Sequence, residues 1–331
     1  MIKLYWVIIV NKKIYFVAPS FGVTISPYKE RFKKALKNLK ELGYDYIIGD
    51  NVYKNKGIAS SNTPELRAKE IMDAYNSDCD IIWSVGGGEV MVQILDKIDF
   101  NQIKNKNKLF IGFSDNTNLT YTITTLTDNI SIYGSNAPSL SLLTYDALDT
   151  LKMVEGEKIF KGYKKWQYED LDESPIHDYV FDMKTKMKVY NYEKPIEGIL
   201  IGGCLDCLVG LCGTKFDNTV NYINKHKKDG IIMYMEACDF NSIQLLRALT
   251  TLKYAGWFDN VDAFLIGRSN NYFDKSFNLS MNDAYLNVLL PFNKPIILDM
   301  DLGHRSPSMP IKNGAKAKVT YNRNSIKFEY E

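Results

Sequence analysis

The chain has 331 residues, 45% of them hydrophobic, enough for two modest domains or one large one without disulfide staples or a structural metal. Its 41 basic and 39 acidic side chains nearly cancel, which leaves no electrostatic footprint for nucleic acid or an anionic membrane. Five cysteines, odd in number and irregularly spaced, argue against a secreted disulfide framework. Cys204 and Cys207 form a C-x-x-C, but no second ligand pair accompanies them, and a helix start is their expected place. Neither a metal nor a cofactor is expected.

Residues 1–10 are apolar but too few to span a bilayer. Asn11-Lys12-Lys13 follows where a signal peptide would carry small residues, so the expectation is a first β-strand in a cytoplasmic protein. Residues 14–18 predict a strand ending at Pro19-Ser20. Ser26 then caps a helix with Pro27 at its first position, striped by Phe32, Ala35, Leu36 and Leu39 and ended by Gly43. Thr63-Pro64 repeats the start signal ahead of the stripe Ala68, Ile71, Met72 and Tyr75. A strand over residues 81–85 leads to Gly86-Gly87-Gly88 and a short helix through Ile94 and Leu95; another over 109–111 runs into Ser114. This alternation implies a parallel sheet with helices on both faces, where ligands gather at the carboxyl ends of strands.

Residues 161–186 are polar and aromatic without a period and read as a linker or excursion. Beyond them come a strand near 187–190, a Gly202-Gly203 turn, a helix over 205–211 and a strand over 231–235 that reaches Glu236. A helix around Ile243, Leu246, Leu249 and Leu252 follows, then strands over 263–266 and 295–298, and a closing hairpin of 315–321 with 326–330. The reading is a two-domain α/β chain. Residues 1–160 would hold a flavodoxin-like parallel sheet with flanking helices, 161–186 the excursion, and 187–331 an α/β domain with a β-rich tail.

Ser114 stands in G-x-S-D directly after a buried-looking strand. A sharp turn there would lift a nucleophile from the sheet and aim following amides at a developing oxyanion. Asn116 replaces the second glycine of G-x-S-x-G, and an ordinary helix N-cap explains Ser114 equally well. The threonines at 117, 120, 122, 124 and 125 are poor helix formers, so a helix here must be held by tertiary packing. A serine nucleophile needs a base. Among three histidines, His226 sits in a lysine run and His177 in the excursion, which leaves His304, in a loop after the apolar strand over 295–298. The base needs an orienting carboxylate, for which Glu236, Asp239, Asp299 and Asp301 compete. The triple glycine lacks the rest of a nucleotide-phosphate motif.

The ordered set Val17-Ala18-Pro19-Ser20, Ser60 to Ala68, Gly86-Gly87-Gly88, Gly112 to Asp115, Gly202-Gly203, Met235-Glu236, Ile266-Gly267-Arg268 and Gly303-His304 resembles the LD-carboxypeptidase and microcin C immunity peptidases. The resemblance implies a Ser-Glu-His triad of Ser114, Glu236 and His304. It also implies an oxyanion hole from the backbone amides of Gly88 and Asp115, and a homodimer. Gly87 and Trp166 are the expected substrate contacts, the indole either stacking on a base or packing in the core or at the surface. The substrate would be a small peptide, a muropeptide or an aminoacyl-adenylate-like molecule. The branches differ there: one releases D-alanine from a murein tetrapeptide, the other cleaves an amide to a nucleotide analogue. A non-catalytic, peptide-binding relative is the third reading. Cys204 stands where the family's asparagine is expected.

Overall fold

The computed structural model describes residues 12–169 and 174–331; the strand expected over 1–10 lies outside them, as do residues 170–173 of the excursion. The chain has a two-domain α/β fold built on two principal sheets. In the first, β1 (Lys13–Val17), β2 (Asp45–Ile48), β3 (Ile81–Ser84), β4 (Leu109–Gly112) and β5 (Ser131–Tyr133) run parallel in the order β5-β4-β3-β1-β2. Alternate residues of each strand face opposite ways. Ile14, Phe16, Trp83 and Ile111 pack toward α1 (Tyr28–Glu41), and Val17, Ile82 and Phe110 toward α2 (Pro64–Asn76). The latter face also carries a 3-10 turn (Met91–Lys97), α3 (Phe100–Lys104) and α4 (Thr117–Thr127). A second 3-10 turn (Ala137–Ser141) and α5 (Tyr145–Val154) lie with α1.

β6 (Ile159–Lys161) then leaves for the second sheet. A two-stranded piece, β7 (Lys165–Trp166) with β8 (Met183–Lys184), frames the excursion, and β9 (Lys188–Tyr190) forms the far edge of the second sheet. Its parallel centre is β10 (Ile196–Cys204), β11 (Ile231–Glu236), β12 (Ala263–Gly267) and β15 (Ile296–Met300). Helices α6 (Leu205–Leu211), α7 (Thr219–His226), α8 (Ser242–Tyr254) and α9 (Met281–Leu289) and the small hairpin β13 (Lys275–Ser276) with β14 (Leu279–Ser280) connect these strands. After β15, β16 (Ile311–Asn313) returns to pair antiparallel with β5 of the first sheet. The hairpin of β17 (Lys316–Asn322) and β18 (Ser325–Tyr330) closes the second sheet against β10 and β6. No helix among the described residues is long and apolar enough to cross a membrane.

Helix α4 lies where the two halves meet, and ten of its residues are buried. Hydroxyls of Thr122, Thr125 and Thr127 donate to carbonyls one turn back, at 2.5, 3.0 and 2.5 Å, so threonines weak in helix propensity are satisfied inside the protein. Two local expectations change. Helix α1 starts at Tyr28 with Pro27 as its N-cap, and no side chain caps it, since proline has no polar side chain to offer; the Ile25 carbonyl takes the Lys29 amide instead. Gly202-Gly203 is no turn but the end of β10: a Cβ at Gly202 would overlap the Tyr234 carbonyl, and one at Gly203 would press on Thr117 of α4. These glycines let the second sheet approach its neighbours. Gly202→Ala also has to adopt φ +153°, so it should cost more than about 3 kcal/mol. Urea unfolding at wild-type stability would contradict this.

Candidate active site

Ser114 follows β4 with φ +65°, in the left-handed region, and opens a short 3-10 turn (Ser114–Asn116) that feeds α4. A non-glycine residue held there marks a constrained turn. Asn116, in the place of the second glycine of G-x-S-x-G, donates from Nδ2 to the carbonyls of Gly86 and Phe113, both at 2.9 Å. The buried Asp115 carboxylate accepts from Ser20 Oγ (2.6 Å), the Met91 amide (2.9 Å) and Asn118 Nδ2 (2.9 Å). Together they tie the serine turn to the glycine run. A Cβ on Gly87 would sit 3.1 Å from that of Ser114, and one on Gly88 would strike Ser20 Oγ, so glycine there lets the run pass close beside the serine. The N-terminus of α4 adds partial positive charge at this point.

His304 arrives from the other half of the chain, in the loop after β15. Its Nε2 lies 2.9 Å from Ser114 Oγ, and its Nδ1 lies 3.0 Å from Glu236 Oε2. The ring rests on Phe113, with centroids 4.8 Å apart. Gly303 has φ +110°, and a Cβ there would meet Glu236 Oε2 at 2.9 Å. A side chain at Gly303 would therefore push the loop off the carboxylate. Glu236, the last residue of β11, is fully buried. Its Oε1 accepts from Tyr133 OH at 2.6 Å, and the same hydroxyl accepts from the Ser114 amide at 3.3 Å.

Burial alone would push the Glu236 carboxyl up, but the His304 charge and hydrogen bond, with help from Tyr133 and Cys204, hold it below the usual carboxylate value. Burial likewise pulls His304 down, yet the facing Glu236 charge and hydrogen bond outweigh it and lift the ring above the ordinary 6.5. Such a chain of groups can accept a proton from Ser114 and keep the resulting imidazolium paired.

Of the three competing acids, two are occupied elsewhere. Asp301 pairs with Arg268 at 2.6 Å and accepts from the Tyr163 amide and Thr185. Asp299 accepts from Asn282, and Asp239 is exposed. His226 is bonded to Asp128 at 2.9 Å in a surface pair, and His177 lies near Arg31. Trp166 does not line the cleft around Ser114. It is 2% exposed, with the Arg268 guanidinium 4.8 Å over its ring and Tyr272 at its edge, so its indole has no open face to offer a base. Gly86 to Gly88 do line that cleft, of about 590 Å³, with Ser114 and His304. Sequence reasoning passed over Tyr133 and Phe113. Tyr133 closes a strand of three residues in front of Gly134, and nothing in that pattern singles it out.

Residues 14–134 match the LD-carboxypeptidase N-terminal domain and residues 197–319 the LD-carboxypeptidase C-terminal domain. The chain belongs to the LD-carboxypeptidase family of peptidases. It is 25% identical to the microcin C7 self-immunity protein MccF of Escherichia coli, over 96% of this chain and 93% of that protein. It is 24% identical to a probable murein peptide carboxypeptidase of Bacillus subtilis, over 88% and 85% of the two. The fold superposes on the structure of MccF in complex with glutamyl sulfamoyl guanosine with a TM-score of 0.83 at 22% identity, over 98% and 97% of the chains.

The histidine environment gives a direct expectation. Glu236→Gln removes the charge that raises His304 and leaves the burial that lowers it. The ring should then titrate lower than in the wild type, followed by NMR of the imidazole protons. A ring titrating as high as the wild type's would refute the account.

Proposed function

We propose that the chain is a serine carboxypeptidase in which Ser114 is the nucleophile, His304 its general base and Glu236 the carboxylate that orients the base. The observation that carries this reading is the continuous hydrogen-bonded chain from Ser114 Oγ through both ring nitrogens of His304 to a fully buried Glu236. In the reaction Ser114 Oγ attacks the amide carbonyl as its proton passes to His304 Nε2. Glu236 keeps Nδ1–H directed and balances the imidazolium. The backbone amides of Gly88 and Asp115 take the oxyanion, supported by the close passage of the glycine run beside Ser114. His304 then returns the proton to the leaving nitrogen, and water repeats the sequence on the acyl-enzyme. Residues 1–160 carry the nucleophile, and residues 187–331 carry the glutamate and histidine.

The preferred substrate is a peptide or an aminoacyl- or peptidyl-nucleotide. The similarity to MccF over nearly the whole chain supports it, with the sulfamoyl guanosine ligand of that protein as chemical precedent. Release of a terminal residue from a murein peptide is the second reading, favoured by the Bacillus relative. Hydrolysis of an aminoacyl sulfamoyl adenosine and a muropeptide tetrapeptide, side by side, separates them. Ser114→Ala should lower turnover at least about 10³-fold. Turnover unchanged by that substitution ends the proposal.

His304 must be neutral to act, and its pKa is raised. kcat/KM should therefore fall as pH drops, with a midpoint above about 6.5. A flat profile down to about pH 5 would remove His304 from the role. A serine mechanism uses no metal, so EDTA should leave the rate intact.

A further inference from the structure

Ser114 divides the cleft between the two faces of the first sheet, and charge is placed unequally on them. Arg31, on α1, is the sole lysine or arginine among the described residues lining the cleft. Its Nε donates to the Pro175 carbonyl at 2.7 Å and its Nη2 lies 3.0 Å from His177 Nε2, which fixes the guanidinium without neutralising it. The neighbouring acid, Asp146, is already engaged by Tyr179 OH (2.6 Å), Ser135 Oγ (3.4 Å) and the Ser308 amide (3.4 Å). Burial lifts its carboxyl to about 6, where the facing Tyr179, Ser135 and Ser308 hold it without an ion pair.

Glu89 stands on the opposite face, between Gly88 and the Met91–Lys97 turn, and also lines the cleft. Partial burial and the neighbouring Asp239, Asp115 and Asp206 push its carboxyl above the usual value, with only His304 opposing them. Asp206 is held by the amides of Cys238 and Asp239, and Asp115 by Ser20, Met91 and Asn118. No lysine or arginine among the described residues lining the cleft is on that side to meet Glu89. Glu89 directly follows Gly88, whose amide the proposed reaction assigns to the oxyanion, and both charged side chains line the cleft that holds Ser114 and His304.

We propose that Arg31 and Glu89 set substrate specificity, selecting amides with an ammonium group on the acyl portion and an anion on the leaving portion. This rests on the Ser114 hydrolase reading. The anion is a carboxylate or a sulfamoyl or phosphoryl group. An aminoacyl sulfamoyl nucleotide with a free amine carries both charges. So does a tetrapeptide with a lysine-type side chain before the scissile bond and a free terminus.

The test pairs each charged probe with a capped twin: aminoacyl sulfamoyl adenosine against its N-acetyl form, and a lysine-containing tetrapeptide against its C-terminal amide. The wild type should favour the free amine and the free carboxylate by about tenfold in kcat/KM. Glu89→Gln should abolish the first preference alone. Arg31→Met should abolish the second alone, with Arg31→Lys restoring part of it. The sulfamoyl probe, weakened by Arg31→Met when the tetrapeptide is not, would assign the anion to that chemistry, and the converse to a carboxylate. A structural role for either residue would weaken charged and capped probes equally, and that result overturns the proposal. If nothing is hydrolysed, the hydrolase reading fails separately. Calorimetric binding of the same probes to the full-length Ser114→Ala protein still decides: affinity indifferent to both caps overturns the polarity.

Discussion

Glu236 has no exposed surface, so its charge is held by what the protein places around it: the His304 ring, the Tyr133 hydroxyl and the Cys204 thiol. A buried carboxylate without partners would be destabilising by several kcal/mol. The partners come from both halves of the chain: Tyr133 ends a strand of the first sheet, and His304 and Cys204 belong to the second. Satisfying this one acid therefore fixes how the two sheets face each other. Gly303 and Gly267 lie against it, where any larger residue would force the loops apart. Ser114 is drawn into the same arrangement from two sides, through His304 and through its own amide on Tyr133.

Local chemistry made part of this readable in advance. The parallel alternation, the glycine run and the serine at a strand end follow from periodicity and turn residues, and the structure has them in those places. The choice of Glu236 over Asp239, Asp299 and Asp301 does not. It depends on Arg268 claiming Asp301 and Asn282 claiming Asp299, contacts between residues far apart in sequence. The resemblance to a family, not spacing, is what singled out Glu236. Trp166 takes the packed place that stood as one alternative for it: a buried Arg268–Asp301 pair lies against the ring, and the indole covers that pair. Gly202-Gly203 misled because glycine pairs signal turns, whereas here they serve a close approach of backbone to backbone.

The threonine-rich α4 shows the same tension between local and tertiary forces. Its sequence argues against a helix, yet its place between the sheets supplies apolar cover from both, and the hydroxyls of Thr122, Thr125 and Thr127 are satisfied within their own turns. Leu119 and Ile123 join one core with Leu205, Leu208 and Leu249 of the second half. The helix that carries the serine at its start is also the element around which the halves pack.

Each principal sheet borrows an edge from the other half: β6 leaves the first half to flank β18, and β16 returns from the second to flank β5. The link is reinforced where Asn313 Oδ1 accepts from Gly202 and the Gly314 amide donates to Leu200, stitching β16 to β10. The halves are therefore not separable modules. A gene fragment ending between them would leave β5 or β18 as a bare edge, a template for sticking to other chains. Fusion, swapping or independent duplication of either half is thus discouraged by the fold itself, and Ser114 and His304, drawn from different halves, stay together.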